Sequence, residues 1–383
     1  MPWQERSTMD VRREFVELAR QEGANVRELC RRYQISPKTA YKWLGRFAQQ
    51  GEQATALADR SCRPLSSPLR SSSAVEQAVV CLRQQHPGWG GRKIAKRLAV
   101  LQQAQLAPST VTGILHRHGL IHPEASEQAT PWQRFEHEQP NLLWQIDFKG
   151  DFLTFAGKCY PLTLIDDHSR FNLALTALAR AGTPQVQPLL EQVMRRYGMP
   201  QRINSDNGPP WGAPSAHDHG LSALGVWLIR LGVRISHSRA YHPQTNGKIE
   251  RFHRSLQREV LHGRAYCDHA EVQRDFDAWR MVYNCERPHE ALAMATPALR
   301  YRPSALAFPD RLPEIAYPDG DTVVTVGWNG IFKFKGRRWR TSSALHQLPI
   351  ALRPDIHTDG LFHGYFCRQP FMTLDLRQDR LQT

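Results

Sequence analysis

Three carboxylates in this chain have the types and positions that suit a hard-cation site. Asp147 lies in the apolar, strand-like run LLWQIDF, Asp206 follows a short strand in RINSDN, and Glu250 lies in the helical pattern GKIERFHRSL. A lone carboxylate in an apolar strand is costly to bury unless it is paired or bound to a metal. Mg²⁺ prefers a few carboxylates together with water and phosphate oxygens. Two strand-borne acids and one helix-borne acid meet that preference.

The helix that carries Glu250 is expected to begin at the turn formers Asn246 and Gly247. Asn246 is its expected N-cap, because its side-chain oxygen can accept a backbone N–H of the first turn. Glu250 then lies where the positive helix end favours a carboxylate. Four basic residues surround it: Lys248, Arg251, His253 and Arg254. A carboxylate among cations is ordinarily a surface ion-pair partner, so the metal interpretation depends on the two aspartates upstream.

Asp166 and Asp167 are rival carboxylates in the segment DDHSR. They are predicted to lie in a turn between two strands, where side-chain bonds to the backbone give them a structural role. We favour that role over metal binding.

Together, LLWQIDF, LTLIDDHSRF, INSDNG and YHPQTNGKIERFHRSL resemble the catalytic core of DDE transposases and retroviral-type integrases. The nearest match is to bacterial insertion-sequence transposases, from about Asn141 to Tyr301. The resemblance implies that Asp147, Asp206 and Glu250 are catalytic and bind two Mg²⁺ ions, which Mn²⁺ can replace. It also implies double-stranded DNA as partner, namely transposon terminal repeats and target DNA, and a homo-oligomer on that DNA.

The sequence departs from the family pattern at two places. The interval between the second and third acids (250 − 206 = 44) is longer than is common in the wider superfamily, so Pro209–Leu224 is predicted to be an enlarged loop. Position 257 is Gln where many relatives carry a basic DNA contact, and Arg254 or Arg258 is expected to replace it.

Composition bounds the partners and the location. The net charge of +14 indicates a polyanionic partner. The chain shows no apolar run of about 18 residues, the length of a membrane span, and no secretory signal. We therefore expect a cytoplasmic, nucleoid-associated protein that has no membrane as a partner. The seven scattered cysteines include no C-x-x-C pair, which indicates reduced thiols and argues against a zinc module.

The predicted fold is multidomain: α-helical helix-turn-helix modules, an α/β ribonuclease-H-like core with a mixed sheet, and a small C-terminal β-barrel. Short helices with a tight turn indicate the modules, and alternating runs separated by WNG, KGR and DG turns indicate the barrel. The segments are a helix-turn-helix domain (1–50), a basic Ser/Pro-rich linker (51–73), a second helix-turn-helix domain (74–120), a linker (121–139), the core (140–302), a Pro-rich linker (303–318) and an SH3-like barrel (319–383).

Polar and basic residues on the predicted recognition helices, the linker and the catalytic helix are expected to contact DNA. In the first module Ala40, Trp43, Leu44 and Phe47 should pack inward, and in the second Ser109 should cap a helix over Thr110–His118. The expected contacts are Lys38, Thr39, Tyr41, Lys42, Arg60, Arg63, Arg70, Ser109, Thr110, Thr112, His116, His242, Asn246, Lys248, Arg251, Arg254 and Arg258.

The resulting hypothesis is a DNA transposase that cleaves transposon ends and joins them to target DNA. One alternative is a DNA-binding regulator derived from a transposase with an inactive core. Another is a plain nuclease such as ribonuclease H, which fits the fold but not the two flanking modules. Joining of DNA ends separates the transposase from both.

Overall fold

The computed structural model describes residues 7–50, 56–60, 70–121, 136–212, 221–237 and 247–377. The chain divides into two compact units, Met1–Arg70 and Ser71–Thr383. The expected DNA contacts Arg63, His242 and Asn246 lie outside the described residues, as does 213–220 within the predicted enlarged loop. Among the described residues, no helix combines the length and the apolar character needed to cross a membrane.

The first unit is built from three helices, as predicted. They are α1 (Thr8–Ala19), α2 (Val26–Arg32) and α3 (Pro37–Gln50). The Asn25 side chain caps α2 by accepting two backbone N–H groups, and the Ser36 hydroxyl accepts the Thr39 N–H at 3.2 Å at the start of α3. Trp43 and Ala40 are buried in the core of this unit, with Leu44 and Phe47 packed against it. The predicted inward face of α3 is therefore confirmed.

The second unit begins with another three-helix module. Its helices are α4 (Ser73–Gln85), α5 (Gly91–Val100) and α6 (Pro108–Arg117). Trp89, Ile94 and Val111 are fully buried at its centre. The prediction that Ser109 caps α6 is wrong, because the helix begins at Pro108 and its N-cap is Ala107. Proline fits the first helical position, since its fixed φ suits a helix and its missing N–H would be unpaired there.

A six-stranded mixed sheet follows, which confirms the predicted ribonuclease-H-like arrangement. Its order is β2-β3-β1-β5-β6, with β4 paired to β3; β1 is antiparallel to β3 and parallel to β5. The short hairpin strand β2 was not predicted from the sequence. The strands are β1 (Trp144–Phe148), β2 (Phe152–Thr154), β3 (Gly157–Asp166), β4 (Asn172–Leu178), β5 (Arg202–Ser205) and β6 (Arg234–His237).

Helices cover both faces of this sheet. They are α7 (Thr183–Tyr197), α8 (Ala223–Arg230), α9 (Gly247–Leu256), α10 (His269–Met281) and the short α11 (Pro297–Arg300). One apolar cluster joins the sheet to α7 and α8, and a second joins it to α9 and α10. Helix α7 begins at Thr183, with Gly182 as its N-cap. Both α9 and α10 continue into a π-helical turn, at Gln257–Leu261 and Val282–Glu286.

The C-terminal strands form two open sheets, so the predicted closure into a barrel is not confirmed. The strands are β7 (Thr322–Thr325), β8 (Ile331–Phe334), β9 (Arg337–Arg340), β10 (Pro349–Pro354), β11 (Leu361–Phe366) and β12 (Gln369–Asp375). One sheet has the order β12-β11-β10-β7, and β8 pairs with β9 alone. Between β7 and β8 the chain turns at Gly330, whose φ of +74° favours glycine. The two sheets share one apolar core that includes Phe332, Phe334 and Ile350.

Candidate active site

Asp147 and Asp206 are brought together by two neighbouring parallel strands. Strand β1 pairs with β5, with Trp144 opposite Ile203 and Gln145 opposite Asn204. This register is an offset of 59 residues (203 − 144 = 59), which equals the interval between the two aspartates (206 − 147 = 59). Because the carboxyl ends of parallel strands meet at one edge of a sheet, both carboxylates lie at that edge.

Glu250 lies in the first turn of α9, as predicted. Ile249 and Phe252, exposed by 0% and 1%, anchor that helix in the core, while the glutamate side chain is exposed. The helix therefore turns its apolar face to the sheet and leaves Glu250 at the surface beside the strand ends.

His253 connects α9 to the strand that carries Asp147. Its Nδ1 lies 4.0 Å from an Asp147 carboxylate oxygen, and its Nε2 lies 3.1 Å from the Thr163 hydroxyl. Asp147 and Thr163 are paired across β1 and β3, so one imidazole spans two strands. Burial first, and the charge of Lys149 second, lower the pKa of His253 to about 4. The imidazole is therefore neutral at pH 7.

The pKa values of Asp147 and Asp206 are both raised above their ordinary value. The pKa of Asp147 is raised to about 7, by burial first and then by the charges of Asp206 and Glu250, against the hydrogen bond from the Phe148 N–H. Burial also raises the pKa of Asp206, which the N–H of Gly208 and the charge of His237 partly offset. These shifts are typical of acids that need a cation.

The acids have the right chemistry for Mg²⁺, but the described residues are not arranged as a closed metal site. Hard carboxylate oxygens and unmet negative charge fit that ion. Within ranges 7–50, 56–60, 70–121, 136–212, 221–237 and 247–377, however, no three His, Cys, Asp or Glu side chains are close enough to bind one metal together. One ion can contact all three acids only after Asp147, Asp206 and Glu250 approach each other.

The rival acids Asp166 and Asp167 have structural roles, as predicted. Asp166 is fully buried; it accepts the backbone N–H of Asn141 at 2.7 Å and both the N–H and the O–H of Ser169, at 2.8 and 2.6 Å. Asp167 accepts the side-chain amide of Gln145 at 2.8 Å. These bonds hold the turn between β3 and β4 against the start of β1.

Lys248 contacts the protein rather than solvent. Its ammonium group pairs with the Asp167 carboxylate and donates to the Asp167 backbone carbonyl at 3.1 Å. Burial first, and the charge of Arg170 second, lower its pKa to about 8. Arg251, Arg254 and Arg258 are exposed on α9 and its π turn. The outer side of α9 and its π turn therefore presents three guanidinium groups.

The other expected DNA contacts are distributed over the two modules and the linker. Lys38, Tyr41 and Lys42 are exposed on α3, whereas Thr39 is half-buried and its hydroxyl bonds to that of Ser36. On α6 the half-buried Thr112 donates to the Pro108 carbonyl at 2.9 Å. The remaining described members of the set are exposed: Arg60, Arg70, Ser109, Thr110 and His116.

The second helical module contacts both π turns. Glu259 pairs with Arg287 and accepts the indole N–H of Trp279 at 2.9 Å. A Cβ on Gly88, in the turn between α4 and α5, would lie 2.3 Å from the Glu259 carboxylate. Arg97 of α5 forms an ion pair with Glu286. The π turn at the end of α9 is therefore held between α10 and the second helical module.

Asp147 should make the metal-free protein less stable as pH rises. Its pKa is about 7 in the folded chain against an ordinary 3.8, so the folded state binds more protons between these values, and its stability falls as pH rises through them. In chelator, Asp147→Asn should therefore raise the Tm relative to wild type more at pH 8 than at pH 5. An equal change in Tm at both pH values would contradict the prediction.

Comparison with protein families identifies the central part of the chain. Residues 137–243 and 231–297 match two models of the integrase core domain. The chain carries an integrase core domain. Residues 11–64 match a helix-turn-helix domain, and 39–115 match a homeodomain-like domain.

The integrase core has relatives among insertion elements. A protein of insertion element IS407 from Burkholderia multivorans is 28% identical over 159 residues, which are 42% of this chain and 54% of that protein. A protein of insertion element IS476 from Xanthomonas euvesicatoria is 28% identical over 163 residues, 42% of this chain and 44% of that protein. The chain thus spans about half the length of these relatives, and the resemblance to insertion-sequence proteins is confirmed.

Comparison with solved structures gives a further similarity. A chain in the simian T-cell lymphotropic virus intasome, solved in complex with PP2A regulatory subunit B56 gamma, is 17% identical. The match has a TM-score of 0.38 and covers 78% of this chain and 96% of that one.

Proposed function

We propose that this protein is a DNA transposase that binds transposon ends and catalyses metal-dependent strand cleavage and strand transfer. The strand register supports this best, because β1 and β5 are offset by the same 59 residues (203 − 144 = 59) that separate Asp147 from Asp206 (206 − 147 = 59). The charges of Asp206 and Glu250 both act on Asp147. Together with the integrase core match, this favours phosphoryl transfer at that edge.

The proposed roles follow from the positions of the side chains. Asp147, Asp206 and Glu250 would hold two Mg²⁺ ions, or Mn²⁺ in their place; bound there, such ions stabilise both the attacking and the leaving oxygen of the phosphate. His253 keeps α9 in place over Asp147. Arg251, Arg254 and Arg258 would bind the phosphates of the DNA strand.

The flanking parts would hold the DNA. In this proposal the helix-turn-helix modules at 1–50 and 74–120 bind the terminal repeats, and the core at 140–302 carries out the chemistry. Two transposon ends have to be brought together for integration, so the active form would be a homo-oligomer on double-stranded DNA.

A DNA-binding regulator with an inactive core is the second candidate. The observation that favours it is the lack, within the described part of the chain, of three acids close enough to share one metal. A regulator would bind the same repeats and never join them to other DNA.

The deciding experiment mixes the purified chain with Mg²⁺ or Mn²⁺, a plasmid, and a labelled duplex that carries the repeats flanking its own gene. The transposase proposal predicts that label becomes covalently joined to the plasmid. A duplex with scrambled repeats is the matched control and should join far less. Specific binding of the repeats without joining under either metal would support the regulator instead.

A further inference from the structure

Four cationic or potentially cationic side chains meet beside the catalytic helix. Lys93 lies on α5, Arg170 follows the turn after β3, Arg251 lies on α9, and His289 follows the second π turn. We call this set the cationic cluster. Arg170 is only 8% exposed. Its Nη1 atom and the Nε2 atom of His289 are buried, and neither has a hydrogen-bond partner among the residues that the structure describes.

Ring contacts link His289 to α9 through Tyr283, and charge effects connect the four groups. The His289 ring meets the Tyr283 ring edge-on at 4.8 Å, and Tyr283 meets Phe252, which follows Arg251, at 4.7 Å. The pKa of His289 is lowered to about 3, by burial first and then by the charges of Arg287, Lys93 and Arg170. Burial is the main reason that the pKa values of Lys93 and Arg170 are lowered, and the charge of Arg251 makes a smaller contribution to both.

The acids nearby are already paired with other cations. Asp167 pairs with Lys248, Glu259 with Arg287, Glu136 with Arg300 at 3.1 Å, and Glu290 with Arg92 at 3.8 Å. In the part of the chain that the structure describes, no ion pair is formed by Lys93, Arg170 or Arg251. The cluster therefore holds three positive charges that no described carboxylate neutralises directly.

Such an arrangement is unfavourable unless an anion completes it. A buried donor without an acceptor costs about 1–3 kcal/mol, and like charges held together add to that cost. Guanidinium groups bind phosphate oxygens through paired N–H groups. The cluster extends from the buried Arg170 to the exposed Arg251, so its outer end lies at the surface of α9.

We propose that the cationic cluster binds one phosphodiester group of the DNA strand that passes the catalytic helix. The proposal rests on the proposed function and adds to it a phosphate site formed by Lys93, Arg170 and His289 together with Arg251. Since Lys93 belongs to the second helical module and Arg251 to the catalytic helix, one phosphate would join the end-binding part of the protein to the active site.

The test measures binding of the full chain to a mixed-sequence DNA duplex in chelator at several NaCl concentrations. Each neutralised phosphate contributes about 0.9 to the slope of log affinity against log salt. Lys93→Met should lower the affinity about tenfold, as expected for a lost charged hydrogen bond, and should reduce the slope by nearly one. Lys96→Met removes the same charge from an exposed position on the same helix, and it should change both values much less.

Arg251→Gln provides an independent variant, because Arg251 is exposed and its loss should not disturb folding. It should reproduce the effect of Lys93→Met, and the double variant should lose little more, since both side chains contact one phosphate. Equal effects of Lys93→Met and Lys96→Met, or fully additive effects of Lys93→Met and Arg251→Gln, would overturn the proposal. Because binding is measured without metal, failure of DNA joining would leave this result intact and would count only against the proposed function.

Discussion

Asp147→Asn is expected to abolish DNA strand transfer while DNA binding is retained. Asparagine has the same shape as aspartate but lacks the charge and one oxygen ligand, so it cannot hold a hard cation with Asp206. Metal ions contribute several kcal/mol of transition-state stabilisation, and a loss of about 4 kcal/mol corresponds to roughly a thousandfold slower reaction. The measurement compares joining rates and DNA affinity of the variant and the wild type.

The matched control for this substitution is Asp151→Asn. Asp151 follows Asp147 closely in the sequence, is exposed and pairs with Lys158 at 2.9 Å. The same chemical change at Asp151 therefore falls outside the proposed site. It should leave joining close to the wild-type rate. Joining at a similar rate in Asp147→Asn would exclude this residue from the metal site.

Glu259→Gln is expected to destabilise the fold by about 3–5 kcal/mol, because removal of one partner leaves a buried charge unpaired. The side chains of Arg287 and Glu259 are 7% and 4% exposed, and among the described residues the Arg287 side chain has one further hydrogen-bond partner, the Ser255 hydroxyl at 3.1 Å. The free energy of unfolding, measured in denaturant, should show this loss.

Asp275→Asn is the control for the buried pair. Asp275 pairs with Arg264, whose side chain is 54% exposed, and exposed pairs contribute about 0–1 kcal/mol. If Glu259→Gln destabilised the protein no more than Asp275→Asn, the pair at the π turn would not hold the catalytic helix in place.

The elements of the fold could be predicted where local signals decide them. Asn25 and Ser36 mark helix starts because their side chains accept nearby N–H groups. The apolar run before Asp147 forms a strand because it is buried between β3 and β5. The predicted helix start was wrong where two signals compete, because Pro108 begins α6 ahead of Ser109. The predicted closure of the C-terminal strands into a barrel is not confirmed. Local alternation predicts strands, but it does not predict which strands pair.

The site could be predicted only in part, because much of it depends on contacts between distant segments. His253 stands three positions after Glu250 on the helix, a spacing that places both on nearby sides, but its contact with Thr163 spans 90 residues. The pairing of Lys248 with Asp167 likewise joins separate motifs. Arg170 and His289 lie in motifs whose local pattern explains a turn and a helix end, and nothing in that pattern indicates that the charge of Arg170 acts on His289.

The most direct test of the central claim is anomalous scattering from Mn²⁺ in crystals of the protein bound to cleaved transposon-end DNA. The account predicts a manganese peak at the edge where β1 and β5 end, with oxygen ligands from Asp147, Asp206 and Glu250, and no peak in crystals of Asp147→Asn. A manganese peak at Asp166 and Asp167, or a DNA complex whose three predicted acids remain apart and bind no metal, would contradict it.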